Sequence, residues 1–273
     1  MTLRFTGTCD AAAFAAACAA NPYWYHSFYF DNGFAQPGDY DIGRDIASYG
    51  FPEDLTGLSV LDVGTGSGWF AVYFEQRGAD VTTLDVRGHC DHDVFGRPGY
   101  PDVSTEKPGP DRVLPDGRPI YYSHSSQGFW ILKDLLSLRA AFVNARIYDI
   151  CPALFGGRQF DLVFVGSVLM HVRDPIGALM AVRSVCRRQV IATLWELPAS
   201  SPEAEPPSMR LLTDVAPVFW WQPNRACLRQ WFVGAGFPHV EISRTIPVTA
   251  DAPLRVDALK PQSHRQTLIH ARV

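Results

Sequence analysis

The stretch LSVLDVGTGSGWFAVYF, residues 58–74, decides how the chain is read. Leu58 to Val63 is a short apolar run, Gly64-Thr-Gly-Ser-Gly68 interrupts it, and Trp69, Phe70, Val72, Tyr73 and Phe74 continue at helical spacing. The pattern predicts strand, glycine turn, helix. Working outward, residues 79–86 read as a second strand tipped by Asp85, residues 142–148 as a third strand-like segment ending in Asp149, and FDLVFV (160–165) and VIATL (190–194) as two further buried strands. Continuous apolar strands, rather than alternating ones, predict a parallel sheet covered on both faces. Helical patterns lie between them: Asp174-Pro175 supplies an N-cap and an N1 proline, and residues 224–235 place Cys227, Leu228, Trp231 and Ala235 on one stripe before Gly236. The predicted class is α/β, a doubly wound and mostly parallel sheet, with extended segments at 240–243 and 266–271 closing its far edge.

Composition sets limits on function. The 273 residues carry 24 Lys+Arg against 28 Asp+Glu, a formal charge of −4, with 47% hydrophobic and 19% charged residues. This is a globular core-former and excludes disorder, collagen-like repeats and a disulfide scaffold. No apolar run reaches the roughly 18–20 residues of a membrane-spanning helix. The Ala-rich residues 11–20 follow Asp10 and are flanked by Arg4 alone, so they predict an ordinary N-terminal helix and not a signal peptide. Six cysteines without a C-x-x-C pair predict reduced thiols and a cytoplasmic protein.

Two stretches depart from the regular pattern. Residues 200–208 are Pro/Glu-rich and read as an exposed loop. Residues 87–125 form a 39-residue insert after the second strand, with six prolines, five glycines and three of the eight histidines. A loop of this length in a compact domain predicts a binding loop or lid.

Glycine turns allow a ligand to approach the backbone, and a helix N-terminus leaves N–H groups to meet it. A G-x-G-x-G alone does not separate cofactor classes, because dinucleotide-binding domains use a similar device. Asp85 at the next strand tip is placed to accept both ribose hydroxyls, and Asp149 to meet an adenine amino group. With LDVGTGSGWFA, VTTLDV, RIYDI, FDLVFVGSVLMHVRDP and WWQPNRACLRQWFVGAGF together, the chain resembles the class I S-adenosylmethionine-dependent methyltransferases over nearly all of its length. The resemblance implies a Rossmann-like single methyltransferase domain over residues 1–273 that binds S-adenosyl-L-methionine. Its cofactor site would comprise Asp62, Gly64, Thr65, Gly66, Gly68, Asp85, Asp149, Ile150 and Tyr25, with Asp62 organising the glycine loop or meeting the methionine amino group through water.

Trp24-Tyr-His-Ser27, followed by Gly33 and Pro37-Gly38-Asp39, resembles the N-terminal element of bacterial methyltransferases related to the wobble-uridine tRNA-modifying group. There it implies a helical and aromatic cover, residues 1–50, lying over the cofactor pocket. His171, after the fourth strand, and His26, within that element, are the candidate catalytic bases; the alternatives are a helix-positioning motif and an aromatic packing cluster. Trp24, His89, His92, Tyr122, His124, Trp220 and Trp221 are candidate acceptor contacts. His89, Asp91, His92, Asp93 and His124 also have metal-ligand chemistry, but a local H-x-x-H is a weak signal and a divalent metal is the less favoured reading.

Three functions compete. An O-methyltransferase acting on a small polar acceptor, preferably a saccharide or glycosylated metabolite, fits the acidic balance, the histidines and the insert, and resembles bacterial sugar O-methyltransferases; a phenol or polyketide fits nearly as well. A tRNA-modifying enzyme is disfavoured because Arg187-Arg188 is the only adjacent basic pair, so nucleic acid is an unlikely partner. A non-catalytic cofactor-binding protein ranks last. No membrane is expected as a partner, and the assembly is expected to be a monomer or homodimer.

Overall fold

Seven strands form the central sheet of the computed structural model, which describes residues 2–7, 10–21, 23–87, 93, 112–113, 115–117, 119–120, 126–197, 206–212, 219–250 and 264–273. They are β1 (Ser59–Val63), β2 (Asp80–Asp85), β3 (Ala141–Asn144), β4 (Phe160–Gly166), β5 (Cys186–Leu194), β6 (His239–Val248) and β7 (His264–Arg272), in the spatial order β6-β7-β5-β4-β1-β2-β3. The first five run parallel, while β7 pairs antiparallel with both β5 and β6. The strand order reverses between β1 and β4, so the crevice beyond their carboxyl ends is where an open α/β sheet binds its ligand. Residues 60–63 of β1 and 160–165 of β4 are wholly buried, as continuous apolar strands require.

The helices are α1 (Ala11–Cys18), α2 (Trp69–Glu75), α3 (Gln127–Leu136), α4 (Pro175–Val185) and α5 (Arg225–Gly234). Their caps follow the sequence: Asp10 accepts from Ala13 N at 2.8 Å, Asp174 from Gly177 N at 2.8 Å and Asn224 from Cys227 N at 2.9 Å. Each such cap is worth about 1 kcal/mol. The Ala-rich segment is thus the predicted helix, with Phe14 and Cys18 buried on one stripe. None of the described helices is long and apolar enough to cross a membrane.

The described residues of the stretch 2–50 lie over the sheet as an aromatic cover. Phe5 packs edge-on to Trp69 of α2 at 5.1 Å, and Phe14 lies 4.5 Å from Phe30. The cover is also stitched to the far edge of the sheet, where Asp41 N donates to Thr249 O at 2.9 Å and Thr249 Oγ1 to Asp45 Oδ2 at 2.8 Å.

Two expectations change. The third strand stops at Asn144, and residues Ile147–Asp149 form a 3-10 turn, so Asp149 does not sit at a strand tip. Within the insert, Arg112–Val113 pairs antiparallel with Pro119–Ile120. His89, His92, Tyr122 and His124 lie outside the described residues, as do most of the expected lid and residues 200–205 of the Pro/Glu-rich loop.

Candidate active site

A cavity of about 430 Å³ opens at the carboxyl edge of the sheet. Its floor is the turn after β1. Gly64 N and Thr65 N both point to Leu84 O, at 2.8 and 3.4 Å, and Gly68 N closes back on Thr65 O at 2.9 Å. Gly64, Gly66 and Gly68 take φ of +76°, +52° and +86°, values that L residues with a Cβ adopt only at a cost. A Cβ on Gly68 would also come within 3.0 Å of Phe129 in α3.

Asp85 is buried beside this turn, with Oδ2 accepting from Gly66 N at 3.0 Å and Oδ1 from Val86 N at 2.8 Å. Asp62 is 1% exposed, and its Oδ2 has no hydrogen-bond partner among the described residues; the same is true of Thr65 Oγ1. Burial, reinforced by the Asp85 carboxylate, pushes the Asp62 carboxyl up to about 7. Native proteins rarely leave buried polar atoms unsatisfied. Two orphaned oxygens beside a left-handed glycine cradle fit a polar ligand such as the amino acid and ribose parts of S-adenosylmethionine.

The turn after β3 supplies another wall through Arg146, Ile147 and Tyr148. The Asp149 carboxylate is held by Arg146, with N–H and Nε donors at 3.1 and 3.3 Å, and neither Asp149 nor the buried Ile150 lines the cavity.

The opposite end is built by the cover and the far strands. Tyr23, Tyr25 and Tyr40 line it together with Gln266 of β7. Tyr25 N donates to Ser67 Oγ at 3.0 Å, tying the cover to the glycine turn, and its ring lies 5.2 Å from that of Tyr40. Although 37% of Tyr25 is accessible, its ring faces the cavity wall; burial, then Tyr40 and Asp39, push its phenol well above the usual range. Its phenol stays protonated at neutral pH. His26 lines the cavity but is 93% buried, Nδ1 has no partner among the described residues, and burial lowers its pKa to about 3. Its imidazole is therefore neutral and weakly basic.

His171 ends the 3-10 turn Leu169–His171 after β4 and faces the same cavity, its ring 5.0 Å from that of Phe219. Nearby Ser167 holds a φ of +55°, secured by Ser167 N donating to Thr193 O at 3.0 Å. Non-glycine residues in this conformation cluster at functional sites, and Ser167 lines the cavity.

Three aromatic candidates have other partners. Trp24 is 6% exposed, donates through Nε1 to Cys18 O at 3.3 Å and packs on Phe28. Trp220 Nε1 donates to Asp93 O at 2.6 Å and Trp221 Nε1 to Arg173 O at 2.9 Å, so both indoles brace the wall from behind; none of the three lines the cavity. Sequence reasoning missed Tyr40, Tyr148 and Gln266, and weighed Asp93 as a metal ligand or a loop group hydrogen-bonding substrate, not as a brace. The aromatic and acidic run PGDYDIGRD, residues 37–45, was the available signal for Tyr40; Gln266 had none. Among the described residues no group of three or more His, Cys, Asp or Glu is placed to hold a metal ion.

Comparison with known proteins gives the family. Residues 36–242, well over half of the chain, match the methyltransferase domain family. A tRNA U34 carboxymethyltransferase of Trichodesmium erythraeum (strain IMS101) is 30% identical over 98 residues, covering 35% of this chain and 29% of that protein. A ubiquinone biosynthesis O-methyltransferase of Roseobacter denitrificans (strain ATCC 33942 / OCh 114) is 29% identical over 166 residues, covering 60% and 50% respectively. The chain thus matches half or less of the length of these curated relatives. Among solved structures, the N-terminal domain of EvdMO1 with S-adenosylhomocysteine bound aligns over 96% of this chain and 95% of that one, with a TM-score of 0.57 and 15% identity, which establishes the shared fold. The chain belongs to the methyltransferase domain family and is a class I S-adenosylmethionine-dependent methyltransferase.

Proposed function

We propose that the enzyme methylates a hydroxyl of a small polar acceptor, preferably a saccharide or glycosylated metabolite. The observation that carries this reading is the lining of the acceptor end: Tyr23, Tyr25 and Tyr40 offer rings and hydroxyls, Gln266 an amide and His171 an imidazole. Sugars present apolar C–H faces to rings and hydroxyls to polar groups. Arg146 is the only Lys or Arg among the described lining residues, and it is paired with Asp149 at 3.3 Å. That lining has little to hold a polyphosphate backbone.

Bound S-adenosylmethionine supplies an electrophilic methyl group. Asp85 would hold the ribose hydroxyls, and the Ile147–Asp149 turn would hold adenine through its cavity-lining residues in place of the Asp149 carboxylate, which Arg146 holds. Tyr25, tied to the glycine turn through Ser67, would pack against the bound cofactor where it meets the acceptor. The protein's main task is to align the acceptor oxygen with the methyl group. His171 removes the hydroxyl proton; His26, neutral and weakly basic, shapes the pocket. A general base works best with a pKa near the operating pH, which disfavours an imidazole lowered to about 3.

The second reading, tRNA modification, is favoured by the similarity to a tRNA U34 carboxymethyltransferase over 98 residues. A screen with methyl-labelled cofactor against glycosides and oligosaccharides, phenols, and undermodified tRNA separates the two. Label on a sugar oxygen is the expected result; label in tRNA alone overturns it.

A further inference from the structure

We infer that Asp93 is a positioning residue that clamps the His171-bearing turn to the turn after β3, across the acceptor-facing wall. Its Oδ2 accepts two hydrogen bonds, from Tyr148 Oη at 2.5 Å and from Arg173 N at 2.7 Å, and its Oδ1 lies 3.5 Å from the Arg173 guanidinium. Tyr148 Oη in turn accepts from Asp174 N at 3.0 Å. The carboxylate and phenol together cap consecutive N–H groups just before α4, two and three residues beyond His171. From behind, Trp220 Nε1 donates to Asp93 O at 2.6 Å, Trp221 Nε1 to Arg173 O at 2.9 Å, and Trp220 N to Met170 O at 2.8 Å.

Three elements distant in sequence therefore meet at one carboxylate that is itself 10% exposed. Asp93, Tyr148 and His171 all line the cavity. Charge-assisted bonds of this kind are the strong ones, and a doubly accepting oxygen fixes direction as well as distance. The arrangement gives the tryptophan pair a purpose that stacking on a substrate does not explain: the indoles hold the clamp, and the clamp holds the histidine. It also assigns Asp93 a task in which both carboxylate oxygens already face protein donors, instead of metal ligation.

The clamp itself needs no particular acceptor; only its effect on turnover rests on His171 being the base. The test compares Asp93→Ala, Asp93→Asn and Tyr148→Phe in the full chain by NMR of labelled tyrosine and histidine rings, cofactor calorimetry and turnover. Burial, opposed by the Asp174 N–H and reinforced by Asp93, holds the Tyr148 phenol up at about 12. In Asp93→Ala its titration is expected to fall toward the ordinary tyrosine value of about 10, and the His171 ring signals to broaden or shift. Turnover should drop about tenfold to a hundredfold, the scale of a small misplacement, with cofactor affinity changed less than about threefold. Asp93→Asn should lose less, because its amide oxygen still accepts from Arg173 N. The double variant Asp93→Ala/Tyr148→Phe should be no worse than the poorer single one. Unchanged Tyr148 titration and unchanged His171 signals in Asp93→Ala overturn the clamp, as do additive losses in the double variant. Altered ring signals with full turnover support the clamp and reject His171 as the base. If Asp93→Ala does not fold, Tyr148→Phe carries the same NMR test, and unchanged His171 signals there overturn the inference.

Discussion

The two ends of the cavity are built by different means. At the end proposed for the cofactor, the floor and the buried Asp85 carboxylate come from neighbouring strands: Asp62, Gly64, Gly66 and Asp85 lie within 24 residues of one another, and Asp85 Oδ2 accepts directly from Gly66 N at 3.0 Å. At the end proposed for the acceptor, Tyr23, Tyr40, His171, Thr193 and Gln266 converge from almost the whole chain. The first end is a local motif that a sheet presents automatically. The second depends on the cover being tied to the far strands, through contacts such as Asp41 N to Thr249 O. Substitutions at the two ends should accordingly separate binding of the cofactor from use of the acceptor.

His171→Ala should give the largest effect, a loss of about 10²- to 10⁴-fold in turnover at saturating acceptor, the usual contribution of a general base. Cofactor affinity should be unchanged. His26→Ala should retain most turnover, its cost being one of packing against Phe70 and Tyr25. Steady-state kinetics on both variants checks this, and the reverse ranking would move the base into the cover.

The same contrast governs what could be read from sequence. The alternation of apolar strands and capped helices was legible because residues 60–63, Asp174-Pro175 and Asn224 encode their structure locally. Residues 142–149 misled because an apolar run of that length does not distinguish a strand from a strand followed by a 3-10 turn. Trp220 read as a stacking face because its indole partner, Asp93 O, lies 127 residues away. Gln266 becomes a cavity wall only after the cover and β7 have assembled, an event with no local signature.

Asp85→Ala probes the other end and should act on affinity. Removing two acceptors for ribose hydroxyls, at roughly 1.5 kcal/mol or more each, predicts a weakening of about a hundredfold or more in cofactor Kd. Loss of the Gly66 N contact adds to it. Calorimetry with S-adenosylhomocysteine measures the change directly. A variant that bound with wild-type affinity would remove Asp85 from the ribose assignment and leave it as a brace for the turn.

The smallest effect sharpens the contrast within the cofactor end itself. Asp62 titrates at about 7 in the folded protein against an ordinary 3.8, because burial disfavours its charged form. With the folded value raised, the stability that this protonated carboxyl contributes is complete below about pH 4 and is lost as pH rises through 7. A ligand cation next to Asp62 Oδ2 reverses that preference, since the paired carboxylate then becomes the favoured form. Cofactor binding should therefore release a proton below pH 7 and tighten as pH rises. For one group titrating near 7, the apparent Kd should fall about tenfold between pH 6 and pH 8. Asp62→Asn cannot titrate, and its Kd should be flat over that interval. Calorimetry in two buffers of different ionisation enthalpy counts the released proton independently. Equal pH dependence in the two proteins would show that Asp62 meets no ligand charge, and would confine it to organising the glycine turn.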